Sequence, residues 1–82
     1  MAKINVVPTS AWVKVAVGRV IVTVLERGRG PLYFNEVGSD STAHISRPAV
    51  GEQYEQDEAK ETWVKTPDDA VPWKIQVDGV LT

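Results

Sequence analysis

A single histidine, His44, stands among hydroxyls in Ser41-Thr-Ala-His-Ile-Ser46. A Ser-His pair can generate a nucleophile, but only with a carboxylate that orients the imidazole and donors that hold an oxyanion. No Gly-x-Ser-x-Gly elbow is present to offer such a serine, so His44 reads as a strand or loop histidine. The acidic run Glu52, Glu55, Asp57, Glu58 and Glu61 supplies hard oxygen ligands. It lacks the alternating Asp/Asn positions and central glycine of a calcium loop, and reads as a solvated face. The absence of cysteine removes thiolate metal sites, Cys nucleophiles and disulfides together. No catalytic residue, metal or cofactor is therefore expected, and the chain reads as a non-enzyme.

Binding chemistry is better represented. Arg27-Gly-Arg-Gly, with Arg19 close by in sequence, is the one basic cluster, and Tyr33 and Phe34 follow it. Arginines beside stacking aromatics can hold single-stranded nucleic acid. Two or three arginines in a chain of formal charge −2 neutralise few phosphates, so nucleic acid is disfavoured as a partner. Pairing of Arg27 and Arg29 with carboxylates of a neighbouring subunit, or of the acidic 52–61 segment, is the stronger expectation. A small β-barrel that binds nucleic acid or a host protein through Arg19, Arg27, Arg29 and nearby aromatics is the alternative.

The three tryptophans stand in related phrases: Ala11-Trp-Val-Lys-Val, Thr62-Trp-Val-Lys-Thr and Pro72-Trp-Lys-Ile-Gln. Residues i and i+2 of a strand share a face. Trp73 therefore aligns with Ile75 and Val77 and belongs to the core. Around Trp12 the apolar face is Val13, Val15 and Val17, with Trp12, Lys14 and Ala16 opposite. Trp63 and Lys65 likewise oppose Thr62, Val64 and Thr66. The phrases are thus not one repeated unit. Trp12 and Trp63 become rim residues that either close a small core or meet a partner, and with Arg27, Arg29, Tyr33 and Tyr54 they are the candidate interface residues.

The elements that position these side chains are strands. From Trp12 to Leu25 six valines and an isoleucine occur among fourteen residues, a β-branched density suited to a pleated surface. Gly18-Arg19 divides this run into strands over about 11–17 and 20–26, expected to pair as an antiparallel hairpin or a bulged strand. Further strands are expected over 32–37, 43–46, 61–66 and 72–78. They are separated by a loop at Arg27–Pro31, an extended arm around 52–56 and turns at 57–60 and 67–70. The connections are too short for the helices that parallel strands need. The fold class is all-β: a small antiparallel β-sandwich or barrel of six to seven short strands.

At 82 residues the chain holds one domain, 11–82, preceded by an arm or edge strand over 1–10. Nothing in the first ten residues reads as a secretory signal, and no apolar run approaches the ~20 residues of a membrane span. A thin core without disulfides gains from self-association.

Laid end to end, the elements are Trp12 with Val20-Ile-Val-Thr-Val24, Gly30-Pro-Leu-Tyr-Phe34 with Gly38-Ser39, Pro48-Ala-Val-Gly-Glu-Gln-Tyr54, Thr62-Trp-Val-Lys65 and Trp73-Lys-Ile-Gln-Val77. In this order the chain resembles a family of small bacteriophage virion modules. It departs from that pattern in Pro72-Trp73 and in a longer acidic segment before Trp63. The resemblance implies a β-sandwich without catalysis, a capsid-decorating or head/tail accessory protein. Such a protein assembles as a trimer or other homo-oligomer in the host cytoplasm and docks on virion proteins such as the major capsid protein.

Overall fold

Strands of alternating burial account for nearly all regular structure in the computed structural model, which describes residues 2–56, 60–67 and 71–79. Their order is β1 (Ala2–Val6), β2 (Val13–Val17), β3 (Val20–Glu26), β4 (Leu32–Asn35), β5 (His44–Ser46), β6 (Gln53–Gln56), β7 (Glu61–Lys65) and β8 (Lys74–Gly79). A 3-10 turn, Asp40–Thr42, precedes β5. Eight strands thus stand where six or seven were expected. The arm over 1–10 contributes the additional edge strand β1, and the extended arm at 52–56 is the edge strand β6. The expected turns at 57–60 and 67–70 lie mostly outside the described residues. No helix among the described residues is long and apolar enough to cross a membrane.

The strands form two four-stranded antiparallel sheets of order β1-β8-β3-β6 and β2-β7-β4-β5, a β-sandwich. β2 and β3 do not form the expected hairpin. Gly18-Arg19 carries the chain from one sheet to the other, and the Gly18 N–H donates to Lys60 O at 2.8 Å. β2 pairs with β7, and β3 lies between β8 and β6. Each Val-rich strand is therefore satisfied by a partner distant in sequence.

The core lies between the sheets. Val20, Val22 and Val24 of β3, Ile75 and Val77 of β8, Leu32 and Phe34 of β4, Val64 of β7 and Val15 and Ala16 of β2 are all buried. Val15 and Ala16 are neighbours and cannot both face inward in regular pleating. The register shifts between Lys14 and Ala16, and this bulge overturns the expected inward row Val13, Val15, Val17. Val13 is left 38% exposed. Trp73 is fully buried as expected, although it precedes its strand. A Cβ on Gly28 would stand only 2.7 Å from the Trp73 backbone nitrogen, so the β3–β4 loop closes over the indole because residue 28 has no side chain. The two buried threonines are satisfied: Thr66 Oγ1 donates to Pro31 O at 3.1 Å, and Thr62 Oγ1 accepts from Gln56 Nε2 at 3.1 Å.

Candidate docking surface

The outward faces of the two sheets differ in chemistry. Across the first sheet run two rows in register, Lys3, Asp78, Ile21, Glu55 and Asn5, Gln76, Thr23, Gln53. Apart from Ile21 these two rows are polar. Across the second, Lys14 stands opposite Trp63 and Trp63 opposite Asn35, while Lys65 stands opposite Tyr33 and Tyr33 opposite Ile45. Trp12, just before β2, completes an aromatic surface.

Lys65 organises it. Its ammonium lies 5.7 Å from the centroids of both the Trp12 and the Tyr33 rings, which meet edge to face at 6.4 Å. Asp40 in the 3-10 turn closes the arrangement, accepting from Lys65 Nζ at 2.7 and 2.8 Å and from Trp12 Nε1 at 2.7 Å. The hydrogen bonds from Lys65 and then from Trp12, with the lysine's charge, hold the Asp40 carboxyl below its ordinary pKa of 3.8. Ser39 caps the turn by accepting from the Ser41 N–H.

Trp63 has its own support. Its Nε1 donates to Glu61 Oε1 at 2.9 Å, and Lys14 Nζ lies 5.9 Å from its ring centroid and 3.6 Å from Glu61 Oε2. A Cβ on Gly38 would come within 2.9 Å of Trp63 Cε3, and φ is +68° there. Only glycine lets the β4–β5 loop lie on that ring. The rings of this face thus have hydrogen-bond, cation–π and loop contacts while remaining half-exposed.

Of the candidate interface residues, the structure brings together Trp12, Trp63 and Tyr33. Tyr54 is elsewhere: it faces inward from β6 and stacks on Phe34 at 4.9 Å. Both rings wall a groove between β5 and β6, about 190 Å³ in volume, with Val22, Val24, His44 and Pro48. Arg27 and Arg29 lie in the β3–β4 loop and Arg19 just before Val20. The seven residues of β3 separate them by roughly 20 Å. The basic cluster that is compact in sequence is therefore split between the two ends of the sandwich. Lysine ion pairs among the described residues include Lys14–Glu61, Lys60–Glu36, Lys65–Asp40 and Lys74–Glu26.

His44 and Ser46 line the same groove as Glu52, but no hydrogen bond joins these three side chains among the described residues. Asp57 and Glu58 of the acidic run lie outside the described residues. Asp40 had no local signal in the sequence, since its partners are 25 and 28 residues away. No family model, curated protein or solved structure matches the chain.

Proposed function

We propose that the chain is a non-enzymatic structural protein of a bacteriophage particle. It serves as a capsid-decorating or head/tail accessory module that forms an oligomer and docks on other virion proteins, the major capsid protein among them. The observation that carries this reading is the pre-ordered aromatic face of Trp12, Tyr33 and Trp63. Rings already held by Lys65, Asp40, Glu61 and Gly38 lose little freedom on docking, and Trp and Tyr are where protein interfaces concentrate their energy. The likeness in strand order to small virion modules supplies the setting. The nucleic-acid alternative is weakened by the distance between Arg19 and the Arg27/Arg29 pair.

Quantitative mass spectrometry of purified particles tests this. The wild-type chain is expected as a multi-copy component, and Trp12→Ala with Tyr33→Ala is expected to reduce its occupancy while circular dichroism stays that of the folded chain. Absence of the wild-type chain from purified particles overturns the reading. So does salt-dependent oligonucleotide binding abolished by Arg27→Ala with Arg29→Ala in a chain that particles do not retain.

A further inference from the structure

The first sheet ends in two edge strands, β1 and β6, each paired on one side only, and their backbone groups can be assigned. Val24 donates to Glu52 O at 3.0 Å and its carbonyl accepts from Gly51 N at 2.9 Å, so Val24 bonds toward β6. Backbone bonds alternate in side along an antiparallel strand. Val22 and Val20 therefore also bond toward β6, to Tyr54 and Gln56 in the observed register. The N–H and C=O groups of Gln53 and Glu55 are left on the open side. By the same alternation Ile21 and Thr23 bond to Asp78 and Gln76. Gly79, Val77 and Ile75 then bond to Ala2, Ile4 and Val6. This leaves the backbone groups of Lys3 and Asn5 on the open side of β1.

The two edges match in direction, face and charge. Directions alternate across β1-β8-β3-β6, so β1 of a second copy, placed beside β6 with both copies facing the same way, runs antiparallel to it. Ile4, opposite buried Val77, and Tyr54, opposite buried Val22, both point to the core side. Lys3 and Glu55 both point to the polar outer face. Ile4 is 36% exposed, an apolar side chain its own core leaves partly uncovered. Tyr54 borders an apolar groove that an added aliphatic side chain would cover.

We propose that β1 of one copy docks on β6 of the next as an added antiparallel strand, in the register Lys3 to Glu55, Ile4 to Tyr54 and Asn5 to Gln53. The open backbone groups then meet in two hydrogen-bonded pairs, Lys3 with Glu55 and Asn5 with Gln53. Ile4 covers the groove beside Tyr54, and Lys3 neutralises Glu55. The contact is head-to-tail, so copies close into a ring of three or more or extend as a chain. It rests on the self-assembly part of the proposed function and is independent of the particle.

Engineered cysteines test it, because the chain has none of its own. Within one copy residues 3 and 55 are three strand spacings apart, roughly 14 Å, beyond the ~7 Å Cα separation a disulfide spans. An equimolar mixture of Lys3→Cys and Glu55→Cys proteins is expected to oxidise mainly to the mixed dimer, and the double variant to a ladder of linked species. By light scattering, Lys3→Glu and Glu55→Lys are each expected to weaken self-association roughly 3- to 10-fold, and their combination to restore it. A wild-type monomer by light scattering, dimers linked through like positions, or charge reversals without effect overturn the contact. Cross-linking that persists in a chain absent from particles overturns the proposed function alone. A monomeric chain that particles retain overturns this contact alone.

Discussion

Lys65 Nζ lies 2.7 Å from Oδ1 and 2.8 Å from Oδ2 of Asp40, and joins β7 to the 3-10 turn across the outer face of the second sheet. The lysine side chain is only 14% exposed, with its charge between Trp12 and Tyr33. Lys65→Ala removes two cation–π contacts and the packing of the stem, and is expected to lower stability by about 1–2 kcal/mol. Urea unfolding checks this, and a change below a few tenths of a kcal/mol would show that the rings order without the cation.

The depressed pKa of Asp40 sets the sign of an acid transition. Its contribution is present in full above the unfolded value, near 3.8, and is lost as pH falls through the lower folded value. Trp12 fluorescence is expected to stay constant from neutral pH down to about pH 4 and to change only below it. Asp40→Asn is expected to abolish that step. A transition of the wild-type indole centred above the ordinary carboxylate range would contradict the assignment.

Trp73→Ala is expected to cost about 3–5 kcal/mol, because a fully buried indole is removed from a core with few large side chains. A domain of this size has roughly 4–12 kcal/mol in total, so the variant should lose between about a quarter and all of its stability, seen in thermal denaturation as a lowered melting temperature or a lost transition. Trp73→Phe should retain a cooperative transition at lower temperature.

Gly38→Ala tests the loop that lies on Trp63. A Cβ there meets the ring at 2.9 Å at a φ of +68°, so a destabilisation of about 1–3 kcal/mol is expected. The near-UV circular dichroism of Trp63 should change with it. An unchanged spectrum and melting temperature would place the loop away from the indole.

Much of the sandwich was legible because side-chain alternation is local. Thr62, Val64 and Thr66 face inward with Trp63 and Lys65 outward, and Trp73, Ile75 and Val77 enter the core as the period of two requires. The pattern failed at β2, where the bulge between Lys14 and Ala16 places neighbouring residues on the same side. It also failed to show that adjacent Val-rich strands pair in different sheets. Alternation says which face a residue takes, and not which strand lies beside it.

The sequence alone determined the all-β class, the position of most strands, and Trp73 as a core residue. These follow from β-branched density, turn chemistry and pleat, all of which act over a few residues. Tertiary structure decided that Trp12, Tyr33 and Trp63 share one face, that Asp40 binds Lys65, and that Arg19 stands apart from Arg27 and Arg29. Each depends on strand pairing, and pairing is settled by how two sheets together bury their apolar sides.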